Sequence, residues 1–341
     1  MHFRLNDDQR SVQSAARALL EARFPRERLR EAVDSAAPQN GPDRALWQQL
    51  GEAGFFSLRL PAEAGGAGLG LAEAVLVLEE AGRCLLPGPL VATQLAAGLV
   101  PGAAEGRAVV TAPDGCGTVE HLAAADAVLL LDDVAVRMLP TAGGAGPVAL
   151  SACPLHSVDP TTSLHLVELP LPDQGSPAVE MAGDPARTRA EAALLTAALQ
   201  LGNAARTLEM AVTHVTHRRQ FGRPVGAFQA VQHVCAQMLV RTEIARSSVY
   251  AASLTATHSE VAAAKLLADE AAVRNARDCL QLHGGIGFTW EADVHPYLKR
   301  AWLRAAQWQP ARDAEELLAC ALLDESGNCG QEIANDPNDS L

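Results

Sequence analysis

Apolar residues in the first hundred positions recur at helical spacing, and this pattern predicts a unit built from α-helices. Asn6 and Gln9 have the spacing of a capping box, so the first helix is expected to begin directly after Asn6. Further helices are predicted from Pro42, from about residue 71 to residue 83, and up to about Val100. In the first two helices, the residues expected to face the core are Val12, Ala15, Ala16, Leu19, Leu20, Leu46, Trp47 and Leu50.

The pattern changes between residues 102 and 183. Short apolar runs there alternate with clusters of Gly, Pro, Asp and Thr, which is typical of short strands separated by turns. Strands are predicted at residues 108–111, 127–131, 134–139 and 164–169. This part of the chain is therefore expected to form a small β domain.

Helical spacing returns near residue 184. Long helices are predicted at 190–217, 228–257, 259–282 and 295–323, and Ser259 is the candidate N-cap of the third. Gly202 in the first of them suits close packing against another helix.

The predicted fold is mostly α with a small β domain. It has an N-terminal α-helical domain over residues 1–101, the β domain over 102–183, and a C-terminal four-helix bundle over 184–323. Residues 324–341 include acids, Asn, Gly and Pro but no Lys or Arg, and this tail is expected to be disordered.

Composition restricts the class of protein. The 341 residues carry a formal net charge of −13, which argues against nucleic acid or an anionic membrane surface as a partner. The sequence shows neither a signal-peptide pattern at its start nor an 18-residue apolar segment, so a soluble, cytoplasmic protein is expected. The seven cysteines have no C-x-x-C spacing and do not indicate a zinc site.

The segment from Arg218 to Gln229 stands out because it separates two long predicted helices. It combines glycines and Pro224 with the arginines Arg218, Arg219 and Arg223. Forked guanidinium donors beside a glycine-containing backbone suit a di-anion such as a pyrophosphate. An ordinary interhelical turn with a solvated basic rim explains the same residues, and spacing alone leaves both interpretations open.

Three segments together resemble the acyl-CoA dehydrogenase family. Arg218-Arg219-Gln220-Phe221-Gly222-Arg223-Pro224, followed by Phe228-Gln229, is similar to one signature of that family. The segment from Gln281 to Phe288 resembles a second signature, and that from Pro61 to Gly70 resembles the N-terminal glycine loop. The resemblance covers nearly the whole chain except the tail. It implies an N-terminal helical domain, a middle β-barrel-like domain and a C-terminal four-helix bundle.

The resemblance also implies FAD as cofactor and an acyl-CoA or carrier-protein thioester as substrate. A carboxylate would remove the α-proton while the β-hydride goes to the flavin. By motif position, Arg218, Gln220, Phe221 and Gln229 would contact FAD across a subunit interface. Gln281, Gly284 and Gly285 would face its adenosine-pyrophosphate end. The family further implies an electron-transfer flavoprotein or a similar electron acceptor as a partner.

The candidate catalytic base departs from the family pattern. Counting from the Gly284–Gly285 pair, the common position of the base is Trp308, which cannot accept a proton. Other members place a glutamate on the first bundle helix, where this chain has Ala192 next to Glu191. Glu191 is therefore the candidate base, and a solvated acid on a helix face is its alternative interpretation.

The β domain also departs from the family, since residues 102–183 lack the expected Thr- and Ser-rich flavin segment. Two functions remain open. The chain is either an FAD-dependent acyl-thioester α,β-dehydrogenase or a catalytically incomplete, flavin-sharing partner subunit. In the second case it resembles the short, actinobacterial-type subunits of heteromeric acyl-CoA dehydrogenases. A homo-oligomer or a heterotetramer with a homologous subunit is expected.

Overall fold

The computed structural model describes residues 4–35, 41–115, 117–131, 135–140, 151–168 and 179–334, with side chains described up to residue 323. The helices are α1 (Asp7–Arg23), α2 (Arg26–Asp34), α3 (Arg44–Glu52), α4 (Leu71–Arg83), α5 (Leu90–Ala96), α6 (Pro185–His217), α7 (Gln229–Thr255), α8 (His258–His283), α9 (Val294–Ala305) and α10 (Ala311–Ala334). The strands are β1 (Val110–Thr111), β2 (Thr118–Glu120), β3 (Ala127–Leu131), β4 (Val136–Pro140), β5 (Ala152–Leu155), β6 (Leu164–Val167), β7 (Val179–Met181), β8 (Arg219–Gln220) and β9 (Arg223–Pro224).

The N-terminal helices begin where the sequence predicts. The Asn6 side chain accepts a hydrogen bond from the Gln9 N–H at 2.7 Å, and the capping box is complete. Asp43 caps α3, which buries Leu46, Trp47 and Leu50 as expected. Helix α2 was not predicted. It begins directly after Pro25, whose fixed φ suits a helix start as well as a break.

The β region forms two small sheets among the described residues. One has the strand order β1-β3-β4-β7, with β1 parallel to β3 and the other pairs antiparallel, and the second is antiparallel with the order β2-β6-β5. Strand β3 has the predicted bounds. Strands β2 and β7 were not predicted because each has only three residues and a mixed polar pattern. Strand β5 was not predicted because it has four residues and contains Pro154, which argues against a strand. The predicted run 134–139 overlaps β4, and its residue 134 lies outside the described residues.

Helix α6 is the central element of the bundle and packs against α4, α7 and α8. Two glycines permit the close approach of α4 and α6. A Cβ on Gly202 would lie 1.9 Å from the Glu79 carbonyl oxygen, and a Cβ on Gly82 would lie 2.0 Å from the Leu199 carbonyl oxygen. The predicted packing role of Gly202 is therefore confirmed.

Polar side chains fix α9 to the bundle in its interior. The Gln200 amide donates to the Asp269 carboxylate and to the Ala301 carbonyl oxygen, each at 2.9 Å. The Asn203 amide donates to the Tyr297 carbonyl oxygen at 2.9 Å. Because these buried donors have acceptors from α8 and α9, they stabilise one specific arrangement of the helices.

Two predicted features of the C-terminal part are wrong. Thr257, not Ser259, is the N-cap of α8, since its hydroxyl accepts the Glu260 N–H and the helix begins one residue earlier. The predicted helix 295–323 is interrupted at residues 306–310, because Pro310 disfavours helical backbone at the residue before it. Helix α10 then continues to Ala334, within the tail expected to be disordered from residue 324, and residues 335–341 of that tail lie outside the described residues.

Candidate functional site

The arginine-rich segment forms a tight hairpin after α6. Strands β8 and β9 pair antiparallel, with Arg219 opposite Pro224 and Gln220 opposite Arg223. The two turn residues, Phe221 and Gly222, have φ values of 50° and 79°, the positive values that a two-residue hairpin turn of type I′ requires. A positive φ is uncommon for phenylalanine. The turn holds the Phe221 side chain away from the chain, 90% exposed.

The three arginines have different surroundings. The Arg219 guanidinium donates to the Gly222 carbonyl oxygen at 3.1 Å, and the Arg223 guanidinium lies 4.1 Å from the centre of the Phe228 ring. Both therefore stabilise the hairpin itself. The Arg218 side chain is exposed and has no hydrogen bond or ion pair with any described side chain. Its guanidinium is thus available for an anionic ligand.

The second signature loop follows α8. Gly284 ends the helix with a φ of 63°, and a Cβ on Gly284 or Gly285 would meet nothing within 4 Å. The backbone of this loop is accessible to a ligand that must approach closely. Phe288 is 71% exposed in the same loop, and Gln281 is exposed on the last turn of α8.

The structure brings these two loops to the same end of the bundle. The ring of His214, in the last turn of α6, stacks on the ring of His283, the last residue of α8, with 4.0 Å between the ring centres. A free guanidinium and an uncrowded glycine backbone therefore lie near each other. This donor set fits the pyrophosphate of FAD. Gln220, Phe221 and Gln229 are exposed at the same end of the bundle.

Glu191 lies far from these loops. It is in the first part of α6, about 40 Å from Arg218 at 1.5 Å per helical residue. Glu191 is only 8% exposed, so it is not a solvated acid. Its two carboxylate oxygens are each paired, with Arg59 at 2.8 Å and with Arg187 at 3.1 Å. Arg59 belongs to the segment before the N-terminal glycine loop, and no local pattern in the sequence indicates this contact.

The other buried glutamates of the described residues are also paired with arginine. Glu79 contacts Arg246, Glu80 lies 2.8 Å from Arg17, and Glu120 lies 3.2 Å from Arg304. A carboxylate oxygen that is paired with a guanidinium can reach a substrate atom only after the ion pair opens. Each of the described buried glutamates therefore already has an arginine partner, and the role of Glu191 as base stays a prediction.

Trp308 occupies the region between α9 and α10. It has a φ of 64°, a positive value that is a rare conformation for a bulky residue. The indole is half-buried and packs against the core of the helical bundle and against the core beneath the larger sheet. The neighbouring Gln307 accepts a hydrogen bond from the Arg304 guanidinium at 2.9 Å. This segment thus fills the junction between the three regions of the chain.

A buried ionic cluster joins the smaller sheet to α9. Arg300 is paired with Asp159, and the Asp159 carboxylate also accepts hydrogen bonds from the Thr161 and Thr162 hydroxyls at 2.9 Å. Although burial opposes its ionisation, Arg300 and these donors hold the pKa of Asp159 below its usual value. His121 lies in the same cluster, and burial lowers its pKa to about 4.

Two other classes of site find no support in the described part of the chain. No group of three or more His, Cys, Asp or Glu side chains there is arranged to hold a metal ion. His217 instead donates from Nδ1 to the Thr213 carbonyl oxygen at 2.8 Å, and His214 stacks on His283. No helix among the residues described is both long and apolar enough to cross a membrane.

Comparison with known proteins identifies the family. Residues 6–106 match the family described as "Acyl-CoA dehydrogenase, N-terminal domain", and residues 187–307 match "Acyl-CoA dehydrogenase, C-terminal domain". The acyl-CoA dehydrogenase IpdE2 of Mycobacterium tuberculosis is 37% identical over 78% of this chain and 82% of its own length. Two solved structures are also similar over most of the chain.

The first is the Tcur3481-Tcur3483 steroid ACAD G363A variant, with a TM-score of 0.81 and 25% identity over 94% of this chain and 99% of that one. The second is the ChsE4-ChsE5 complex from Mycobacterium tuberculosis, with a TM-score of 0.78 and 23% identity over 99% of this chain and 100% of that one. The predicted three-part fold is confirmed by these likenesses. The chain belongs to the acyl-CoA dehydrogenase family, whose members are FAD-dependent oxidoreductases.

Proposed function

We propose that this chain is a flavin-sharing subunit of a heteromeric, FAD-dependent acyl-CoA dehydrogenase, and that a homologous partner subunit supplies the catalytic base. The observation that carries the proposal is the pairing of each buried glutamate in the described residues with an arginine. Trp308 at the common family position of the base supports it further. Removal of an α-proton beside a thioester requires a base free to accept it.

The part of this chain in the reaction is to bind the cofactor. Bound FAD would supply the acceptor for the hydride that leaves the β-carbon. Arg218, with Gln220 and Phe221 on the hairpin and Gln229 on α7, would hold it from across the subunit interface. Gln281, Gly284 and Gly285 would face its adenosine-pyrophosphate end. These residues are exposed in the single chain, which agrees with a cofactor-binding site that a second subunit completes.

The relatives support a heteromer. The two solved structures described above carry names that join two different chains, ChsE4 with ChsE5 and Tcur3481 with Tcur3483. The exposed apolar residues Val240, Ile244 and Leu254 of α7 give the bundle a surface suited to a second subunit. An electron-transfer flavoprotein or a similar acceptor would reoxidise the assembled enzyme.

The second candidate function is an acyl-CoA dehydrogenase that acts without a partner of a different sequence. One observation favours it: Glu191 is a buried carboxylate beside Ala192, the position at which other family members carry the base. Catalysis by Glu191 requires the Arg59 pair to open and the carboxylate to turn towards the substrate. The closed pair makes this function the second choice.

The deciding experiment compares the chain alone with the chain co-expressed with base-bearing acyl-CoA dehydrogenase homologues from the same genome. Each preparation is saturated with FAD and mixed with a panel of acyl-CoA thioesters that includes steroid thioesters. All preparations are compared at the same protein concentration, and a loss of flavin absorbance reports oxidation of the substrate. The proposal expects no bleaching by the chain alone and bleaching by one mixed preparation. Bleaching by the chain alone, lost in the Glu191→Gln variant, establishes the second function instead.

A further inference from the structure

His214 and His283 form a contact between the two signature loops. Their rings are 4.0 Å apart at an interplanar angle of 26°, a stacked arrangement. His214 is on α6 and His283 is on α8, so the contact joins two helices that are separated in sequence by the hairpin and the whole of α7. Neither residue belongs to the signature positions assigned above to FAD.

Each ring is fixed to its own loop through the backbone. The His214 carbonyl oxygen accepts the N–H of Arg218 at 2.8 Å, and the Arg218 carbonyl oxygen in turn accepts the N–H of Val225, which closes the hairpin. The position of His214 therefore determines where the hairpin and the Arg218 side chain begin.

The position of the His283 ring is also fixed by its neighbours. Its Nδ1 donates to the Cys279 carbonyl oxygen at 2.7 Å, which fixes the tautomer because a carbonyl oxygen only accepts. The following loop folds back over it, since a Cβ on Gly287 would lie 3.0 Å from the His283 Cβ. His283 thus sets the start of the Gly284–Gly285 segment.

The surroundings of the pair favour the neutral form of the His214 ring. Burial, the neighbouring His283 and the Arg218 guanidinium all lower the pKa of His214. A neutral ring next to Arg218 leaves the local positive charge on the arginine, where an anionic cofactor would meet it. The described residues around the pair provide no third metal ligand, so a positioning role agrees with the contacts better than ligation.

We propose that the His214–His283 stack is a positioning contact that holds the Arg218 hairpin and the Gly284–Gly285 loop at a fixed separation for one FAD pyrophosphate. The two residues act through the loops and do not touch the cofactor. The proposal rests on the FAD function proposed above, but the mechanical link between the loops exists without the cofactor. It can therefore be tested separately.

The first measurement is amide hydrogen exchange of the full chain without FAD. His283→Ala is expected to raise the exchange rates of residues 219–228 at least about threefold relative to the helix cores, because the stack that orders the hairpin is lost. His214→Ala is expected to do the same for residues 285–289. The matched control is His217→Ala, which removes an exposed histidine one helical turn further along α6 and should leave both loops unchanged.

The second measurement is FAD titration, in the chain alone or in its complex with the partner subunit. Loss of an aromatic contact should weaken binding about 3- to 10-fold in either single variant. The double variant should be no weaker than either single variant, because both remove the same contact. His283→Phe restores a stacking ring and should return the affinity to within about twofold of the wild type.

The positioning role is overturned if hydrogen exchange rises only in the loop next to each substitution. It is also overturned if the double variant loses as much FAD affinity as the two single variants together. If wild-type protein and its complexes bind no FAD, the proposed function fails, and the exchange measurement alone decides whether the stack links the loops. If the alanine variants do not fold, His283→Leu and His214→Leu replace them in both measurements.

Discussion

The Glu191 carboxylate and the Arg59 guanidinium lie 2.8 Å apart, and this pair joins helix α6 to the segment before the N-terminal glycine loop. Arg187 holds the other carboxylate oxygen from the same helix. The contact gives Glu191 a structural role, because a carboxylate that is buried and paired contributes to the docking of two elements.

Replacement of Glu191 by Gln should therefore lower stability and leave catalysis by the assembled enzyme nearly unchanged. Loss of a charge-assisted hydrogen bond beside Arg59 should cost about 1–3 kcal/mol in the free energy of unfolding. Urea unfolding and the rate of flavin bleaching in the heteromer measure the two effects. A fall of about 10²-fold or more in turnover, with unchanged assembly, would show that Glu191 is the base.

Replacement of Arg218 by Ala should weaken FAD binding by about 1.5–3 kcal/mol, the usual contribution of a hydrogen bond to a charged group. The free guanidinium has no structural partner among the described side chains, so the melting temperature without FAD should not change. Isothermal titration with FAD measures the loss. Arg274→Ala is the control, since Arg274 is an exposed arginine paired with Glu270 on α8. Equal affinity in the Arg218 variant and the wild type would remove this role.

Two glycine substitutions should separate folding from cofactor binding. Gly202→Ala should destabilise the chain by about 1–3 kcal/mol, because its Cβ would lie 1.9 Å from the Glu79 carbonyl oxygen. The Cβ added by Gly285→Ala would meet no atom within 4 Å, so this variant should keep its stability. It should nevertheless bind FAD more weakly, because the Cβ lies where the cofactor is expected to approach the backbone. Thermal unfolding of both variants, followed by FAD titration of Gly285→Ala, tests the pair. A stable Gly202→Ala protein would contradict the close approach of α4 and α6.

The stability of the chain should fall in mild acid because of His121. Burial lowers its pKa to about 4 in the folded protein, whereas the unfolded chain has the ordinary value of about 6.5. Between these values the unfolded state binds the proton and the folded state does not, so stability is lost as the pH falls from about 6.5 towards 4. The expected loss between pH 7 and pH 5 is about 2 kcal/mol in the free energy of unfolding.

Urea unfolding at these two pH values measures that loss. His121→Asn is a suitable comparison because His121 has a positive φ of 53°, which asparagine tolerates. The variant should be less dependent on pH over this range than the wild type. An identical pH dependence in both proteins would assign the acid sensitivity to other groups.

The exposed apolar side chains of α7 predict an assembly larger than one chain. Ile244 is 50% exposed, with Val240 one turn before it on the same face. A glutamate at residue 244 would place a charge within a buried apolar contact, so Ile244→Glu should shift light scattering towards the single chain. Ala18→Glu on the exposed face of α1 is the control of equal charge. A wild-type monomer at micromolar concentration with FAD bound would contradict this prediction.

Most of the helices could be predicted from short-range patterns in the sequence. The capping box at Asn6 and the apolar spacing of α3, α4 and α6 depend on neighbouring residues, so they could be read directly. The same holds for the strongly apolar strand β3. Short strands such as β5 could not be found, because their sequence pattern is weak and their pairing partners are distant in the chain.

The sequence by itself determined the family, because two signature segments carry the family's residue types at the family's spacing. It also determined that neither Trp308 nor Ala192 can act as a base. Only the tertiary structure decided the environment of each ionisable group. Arg59 meets Glu191, Arg300 meets Asp159, and His214 stacks on His283 across long separations in the chain. Such contacts depend on how helices and sheets pack, and no local pattern records which charged side chain lies opposite another.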